Sequence, residues 1–181
     1  MEHRSTIARS RACDRKRMQL LSLYAGLIGL LILALAFMLG SRRYTVEGES
    51  MEPSLREGDV LYYTGFQQYG YGDLVIFQGR EAYGMIVKRV IGLPGDRIQV
   101  YSDGSVARNN VLLEESYIKP DELGNSAMRE ITVGEGKLFV MGDNRAESID
   151  SRDARIGQIT ISSVHGKVEK IVRLEDGRIY N

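Results

Sequence analysis

Hydrophobic residues are arranged in two different ways along this chain. Residues 20–40 read LLSLYAGLIGLLILALAFMLG and contain no charged residue. Beyond residue 44 the apolar residues come in short stretches, rich in β-branched and aromatic side chains, between turns that contain Gly and Asp. The first pattern predicts one long apolar helix, and the second predicts a set of β-strands.

The apolar segment 20–40 is predicted to be a transmembrane helix, because a helix of this length extends roughly 30 Å, the thickness of the bilayer's hydrocarbon core. A buried core helix of the same length should show a polar face. A cleaved signal peptide is the other alternative, since Ala34-Leu35-Ala36 has a small-x-small pattern. The apolar run continues through Phe37, Met38 and Leu39, however, and exceeds the roughly 7–15 residues of a signal-peptide core. We therefore interpret it as an uncleaved signal anchor.

Charge predicts how this anchor is oriented. The chain holds 24 Lys+Arg and 24 Asp+Glu, but residues 1–43 hold 8 basic against 2 acidic residues, and residues 44–181 hold 16 against 22. The positive-inside rule predicts a basic cytoplasmic stub at 1–19, a single pass through the cell membrane at 20–40 and an extracytoplasmic domain at 41–181. A nucleic-acid binder is disfavoured, because its basic charge should lie on the folded domain.

Cysteine and histidine are too few for several kinds of site. Cys13 is the only cysteine, which excludes an internal disulfide and a multi-Cys zinc site. The two histidines, His3 and His165, cannot form a His-rich metal site. Cys13 is predicted to face the cytoplasm, either as a target for acylation or as an ordinary free thiol.

The short apolar stretches predict a mainly β domain over residues 41–181, an antiparallel sandwich or barrel-like fold. The polar run 121–130 predicts a surface loop. The predicted strands are Val60–Tyr63, Leu74–Phe77, Met85–Ile91, Ile98–Tyr101, Lys137–Met141 and Lys167–Leu174.

Ser50 is the first candidate for chemistry. His165 has no Gly-rich serine motif near it, so a Ser-His-Asp site is poorly supported, and a neutral lysine is the other known activator of a serine. Gly48 permits an unusual backbone angle before Ser50, and Pro53 stiffens the chain after it. The alternative is a plain loop that links the anchor to the first strand.

Lys88 is the candidate base. On a β-strand its side chain shares a face with Ile86 and Val90. Burial between two apolar side chains lowers the pKa of a lysine, which is what a general base near neutral pH requires. The alternative is an edge-strand lysine whose ammonium reaches water.

The third candidate segment is the loop 141–153, which is dense in Gly, Asp, Asn and Ser. Asp143, Arg145, Asp150 and Arg152 offer ion pairs that could fix its shape. The segment lacks the acidic ladder of a calcium loop, so no metal is predicted.

Together these segments resemble the consecutive signature boxes of bacterial type I signal peptidases, in particular the minimal, Gram-positive-like members. The four matching boxes are Ser50-Met51-x-Pro53-Ser54-Leu55, Tyr71–Phe77, Val87–Asp96 and Gly142–Arg152. The resemblance implies a membrane-bound serine endopeptidase with a Ser-Lys dyad and no cofactor. It makes Ser50 the nucleophile and Lys88 the general base. Ser148 would orient the lysine, and Asp143, Arg145, Asp150 and Arg152 would brace the site, with Asp150 and Arg152 paired.

The resemblance also implies the substrate and the partners. Signal peptides of exported preproteins would be cut after a small-x-small sequence, beside the lipid bilayer and in transient contact with the secretion translocon. The peptide is expected to add as a strand beside Met85–Lys88. Gly48 stands where some members carry a serine that completes the oxyanion hole, so the Ser50 N–H is one expected donor and the second is not identified. The substrate-binding residues are expected to be Val46, Met51, Leu55, Met85, Ile86 and Val87.

Two other functions fit part of the pattern. A self-cleaving Ser-Lys protease of the SOS-repressor type shares the dyad, but the anchor and the missing DNA-binding domain count against it. A catalytically silent membrane-anchored β module is the other, and intact Ser50 and Lys88 count against that.

Overall fold

The computed structural model of the chain describes residues 17–33, 35, 40, 42–65, 68–79, 83–118, 127–173 and 178–180. Residues 17–33 form a helix, and residues 35 and 40 are also helical. Among the described residues, no helix has both the length and the apolar character needed to cross a bilayer. Positions 1–16 of the predicted stub 1–19, which include Cys13, and positions 34 and 36–39 of the predicted anchor lie outside the described residues. The anchor therefore stays a prediction.

Residues 41–181 form a compact unit separate from residues 1–40, and its strands make two antiparallel sheets. The larger sheet has the order β1-β2-β11-β3-β4-β9-β10, with β12 also paired to β11, and the smaller has the order β7-β6-β5-β8. The strands are β1 Arg42–Thr45, β2 Val60–Thr64, β3 Leu74–Gln78, β4 Met85–Gly92, β5 Arg97–Val100, β6 Val106–Arg108, β7 Val111–Leu112, β8 Met128–Thr132, β9 Lys137–Met141, β10 Ile159–Thr160, β11 Val164–Arg173 and β12 Arg178–Tyr180.

Both faces of the larger sheet are covered near its middle. Val75, Ile76 and Phe77 are consecutive in β3, and each is 0–1% exposed. Ile76 belongs to a cluster with Leu55 and Leu61, whereas Val75 and Phe77 pack into a second cluster on the opposite side. A strand buried on both faces reads as a continuous apolar run, which is why this stretch shows no alternation with polar residues.

The smaller sheet shares a third cluster with the larger one. Ile98 and Val106 of the smaller sheet pack there against Ile91 of β4 and Phe139 of β9. Strand β4 therefore contributes side chains to all three clusters, through Val87, Val90 and Ile91. A strand fixed at so many points is a rigid support for a reactive side chain.

The mainly β, antiparallel fold is confirmed, and all six predicted strands are present with ends shifted by a few residues. The prediction of a loop over 121–130 is wrong at its end, because Met128–Glu130 belong to β8, where Met128 pairs with Val100. Strand β8 lies at an edge of the smaller sheet. Its backbone pairs with β5, and its polar side chains can face water. Residues 121–126 lie outside the described part of the chain.

Candidate active site

Ser50 lies on the turn that leaves the first strand of the β unit. Gly48 has a φ of 77°, a left-handed conformation that favours glycine. Beyond the serine, Met51 is 1% exposed and Leu55 is 0% exposed. Both anchor the chain that follows Ser50 in the core, so the half-buried serine has a fixed backbone and an accessible face.

Lys88 reaches this turn from the middle of β4. Its Nζ lies 2.6 Å from Ser50 Oγ, and the residue is 2% exposed. Burial lowers the pKa of Lys88 to about 8, although the carboxylates of Asp150 and Asp143 act in the opposite direction. Desolvation wins because the ammonium loses nearly all of its water. About half of the lysine is then neutral at pH 8 and able to accept the Ser50 proton.

The half of β4 that carries Lys88 has an open edge. Residues Met85–Arg89 pair with β3 on one side. On the other side β9 pairs with β4 only from Arg89 onward. Among the described residues no strand covers the second edge of Met85–Lys88. The Tyr44 hydroxyl donates to the Met85 carbonyl at 2.9 Å, and the remaining backbone groups of this edge are available to an extended peptide.

A groove of about 240 Å³ follows this open edge and ends at the dyad. Most of its lining residues are apolar or aromatic, and Glu47 and Glu147 add two carboxylates. The lining residues are Tyr44, Val46, Glu47, Ser50, Met51, Tyr83, Met85, Ile86, Val87, Lys88, Glu147 and Ile149. Five of the six residues predicted to bind substrate are among them. Leu55 is not: it is fully buried and packs in the core with Leu61 and Ile76.

Two ion pairs fix the loop that follows β9. Asp150, which is 0% exposed, accepts from Arg152 Nε at 2.9 Å and from the Gly142 N–H at 3.0 Å. Asp143, also 0% exposed, accepts two hydrogen bonds from Arg89, at 2.8 and 2.5 Å. Two parallel hydrogen bonds between a guanidinium and a carboxylate add directionality to the charge attraction.

Arg145 completes this loop with a partner from another part of the chain. Its Nη2 lies 2.5 Å from Glu115 Oε1, and its Nε donates to the Gly142 carbonyl at 2.9 Å. The sequence indicated that Asp143 and Arg145 brace the loop but did not identify their partners, Arg89 and Glu115. Both partners are distant in sequence, and no local pattern marks them.

Gly142 is the point where this loop meets the nucleophile turn. A Cβ at this position would collide with the Ser148 side chain and with the Ser50 carbonyl. The Asn144 N–H donates to the same Ser50 carbonyl at 3.2 Å. The loop therefore holds the backbone of Ser50, and only glycine fits at the contact.

The Ser148 hydroxyl is buried and makes no hydrogen bond among the described residues. The hydrogen bond to Lys88 that the resemblance implies is thus not formed in this structure, and the orienting role of Ser148 stays a prediction. A buried hydroxyl without a partner is unusual, because it loses its water without compensation.

Comparison with known proteins shows which family this chain resembles. Residues 17–173 match the family model described as signal peptidase, peptidase S26. A signal peptidase I of Bacillus licheniformis is 37% identical over 156 residues, covering 78% of this chain and 80% of the relative. A signal peptidase I of Bacillus caldolyticus is 37% identical over 145 residues, covering 70% and 76%. A solved signal peptidase I structure from Enterococcus faecalis is 29% identical, covers 57% of this chain and 98% of its own, and has a TM-score of 0.48. The chain therefore belongs to the signal peptidase family, peptidase S26.

Proposed function

We propose that this protein is a serine endopeptidase that removes signal peptides from exported preproteins. The observation that carries the proposal is the 2.6 Å approach of Lys88 Nζ to Ser50 Oγ at the end of a groove with an open strand edge. Relatives that are 37% identical carry the name signal peptidase I, which supports the same activity.

The first half-reaction forms an acyl-enzyme. Neutral Lys88 takes the Ser50 proton as the oxygen attacks the scissile carbonyl. The Ser50 N–H donates to no acceptor among the described residues and is free to stabilise the oxyanion. Collapse of the tetrahedral intermediate breaks the peptide C–N bond, and Lys88 gives its proton to the departing amine.

The second half-reaction releases the signal peptide. The lysine, neutral again, takes a proton from water as the water attacks the ester carbon. The second tetrahedral intermediate expels Ser50 as an alkoxide, which recovers the proton from Lys88. The lysine thus returns to its starting state, and Ser50 is a free hydroxyl again.

The substrate is proposed to lie as an added strand against Met85–Lys88. Its backbone would hydrogen-bond to the open edge of β4, and alternate side chains would enter the apolar groove between Tyr44, Val46 and Ile86. The peptide backbone must come within reach of Ser50, which favours small side chains next to the serine and cleavage after small-x-small sequences.

The protein is further proposed to act at the cell membrane, with residues 1–19 in the cytoplasm, a span at 20–40 and residues 41–181 outside. The uncharged segment and the basic N-terminal flank support this arrangement. The lipid bilayer and, transiently, the secretion translocon are the proposed partners.

One experiment separates this function from its two rivals. Purified full-length protein in detergent is incubated with a labelled preprotein, in parallel with Ser50→Ala. Cleavage of the preprotein that disappears in Ser50→Ala is the expected result. Cleavage of the protein itself alone would favour a self-processing enzyme, and no cleavage at all would favour a binding module.

A further inference from the structure

Two side chains outside the groove contact Arg145 and Arg89, the arginines that hold the loop after β9. Glu115 and Tyr117 lie on the segment that leaves β7, and the Tyr117 hydroxyl donates to Glu115 Oε1 at 2.5 Å. Neither residue lines the groove, so neither is positioned to touch a substrate there.

Glu115 acts on the nucleophile turn through Arg145. Its two carboxylate oxygens lie 2.5 and 3.0 Å from Arg145 Nη2 and Nη1, with side chains 6% and 0% exposed. The same guanidinium holds the Gly142 carbonyl, and Gly142 packs directly against the Ser50 carbonyl. A change at Glu115 therefore reaches the backbone of the nucleophile through three successive contacts.

Tyr117 contacts Arg89, the residue that follows Lys88 in β4. Its ring covers the Arg89 guanidinium at 4.1 Å, a distance typical of a cation–π contact. The edges of that guanidinium donate to Asp143, to the Gly72 carbonyl and to Ser54 Oγ. The ring thus covers one face of the Arg89 guanidinium, whose edges are bound by the three acceptors. Arg89 follows Lys88 directly in the sequence.

We propose that Glu115 and Tyr117 are positioning residues that hold the Ser50–Lys88 pair in its reactive geometry through Arg145 and Arg89. The proposal rests on the peptidase function proposed above. Both connections end on the loop 142–145, so a shift of the 115–117 segment moves the nucleophile and the charge around its base together. A displacement of about 1 Å at reacting atoms can reduce a rate by about 10²-fold.

The test compares kcat and KM for preprotein cleavage at a temperature where each protein is fully folded. Glu115→Gln and Tyr117→Leu are expected to lower kcat by about 10-fold or more while KM changes less than about twofold. Glu114→Gln is the matched control, because Glu114 is the exposed neighbour of Glu115. Wild-type kcat in either folded variant, or an equal loss in Glu114→Gln, overturns the proposal.

A second readout needs no substrate and moves only if the charge around Lys88 changes. Asp143, Asp150 and Arg152 are the charged groups that act on this lysine. Loss of the Tyr117 ring is expected to loosen Arg89 from Asp143. The Asp143 carboxylate is then less neutralised by Arg89, so it stabilises the Lys88 ammonium more strongly and raises the titration midpoint of the lysine. The midpoint, followed by NMR of the ¹³Cε of lysine, should rise in Tyr117→Leu. It should stay at its wild-type value in Tyr117→Phe, which keeps the ring.

The two readouts distinguish failure of this inference from failure of the proposed function. A wild-type protein that cleaves no preprotein, beside a Lys88 midpoint that rises in Tyr117→Leu, overturns the peptidase and supports the positioning. A wild-type protein that cleaves, beside variants with unchanged kcat and midpoint, supports the peptidase and overturns the positioning.

Discussion

At the scale of single residues, the decisive feature is an almost fully buried lysine whose amino group lies within hydrogen-bond distance of a serine. Removal of water lowers the pKa of Lys88 to about 8. Asp143 and Asp150 prevent a deeper fall, so the lysine keeps enough basicity to take a proton from a hydroxyl. The balance between burial and two neighbouring carboxylates therefore sets the working pH of the site.

Activity should rise as the pH is raised through about 8, because the neutral form of Lys88 is the reactive one. Lys88→Arg keeps the positive charge but cannot lose its proton, so it should be nearly inactive. The measurement is kcat/KM for a preprotein between pH 6 and 9, with wild type and Lys88→Arg at equal concentrations. Substantial cleavage by Lys88→Arg would exclude the lysine as the base.

The same buried lysine should lower the stability of the fold at neutral pH. The folded pKa is about 8 and the ordinary value is 10.5, so the unfolded chain binds more protons between these values and stability rises with pH there. A shift of this size corresponds to about 3 kcal/mol. Lys88→Met should unfold at a higher temperature than wild type at pH 7, and its stability should rise less with pH above 8. Equal pH dependence of Tm in both proteins would contradict this account.

At the scale of secondary-structure elements, β4 and the loop 142–152 have complementary tasks. Strand β4 offers an open edge over Met85–Lys88 and pairs with β9 from Arg89 onward. The loop closes over the paired end and holds the Ser50 carbonyl through the Asn144 N–H. Substrate binding and nucleophile positioning thus depend on different halves of one strand.

The open edge predicts a pattern of substrate tolerance. Side chains at −1 and −3 of a bound strand point to the same face, because the period of a strand is two, and −2 points the opposite way. Alanine at −1 and −3 should be accepted, a bulky residue at −1 should reduce kcat/KM by about 10², and −2 should accept most residues. A peptide series varied at one position at a time measures this. Equal tolerance at −1 and −2 would be incompatible with a strand beside β4.

The loop depends on a buried ion pair, so Asp150→Ala should reduce stability and activity together. Loss of one partner from a buried pair costs about 3–5 kcal/mol, since the remaining charge of Arg152 is left without compensation. Thermal unfolding and kcat/KM should be measured on the same preparation. Asp153→Ala is the control, because the Asp153–Arg155 pair is exposed and its loss should leave Tm and rate nearly unchanged. An unchanged Tm in Asp150→Ala would show that the pair is not structural.

At the scale of the whole molecule, the site forms only when distant parts of the chain meet. Strand β11 is close to the C-terminal end of the sequence, yet it lies inside the larger sheet between β2 and β3. Arg173 at its end donates to the buried carboxylate of Asp59 at 2.8 Å and to the Ser54 carbonyl at 3.3 Å. The nucleophile turn is thus held by the last part of the β unit as well as by its own anchors.

The charge difference between the two parts of the chain predicts the orientation of the protein in the membrane. External protease added to spheroplasts should digest residues 44–181 and spare the N-terminal stub. Immunoblots with tags at the two ends measure this, and permeabilised cells show that the stub can be cut once it is accessible. Protection of the C-terminal tag in sealed spheroplasts would reverse the orientation.

The sequence alone was sufficient for features that depend on neighbouring residues. The apolar stretches located six strands. The apolar neighbours of Lys88 indicated that it could be buried, and the structure decided for burial over an exposed edge-strand lysine. Four short boxes led to the Ser50–Lys88 pair, because together they resemble the signature boxes of a known family. Short edge strands such as β7 and β10 went unnoticed, because two residues carry no periodicity.

Only the tertiary structure decided which distant residues meet. The Arg89–Asp143 and Arg145–Glu115 pairs, and the burial of Leu55 in the core instead of the groove, follow from strand order and register. The sequence pattern of a strand indicates which of its side chains share one face. Which other element packs against that face depends on the packing of the whole sheet. The sequence thus predicted six of the twelve described strands and the approach of Lys88 to Ser50, and the packing of the sheets determined what holds these two residues in place.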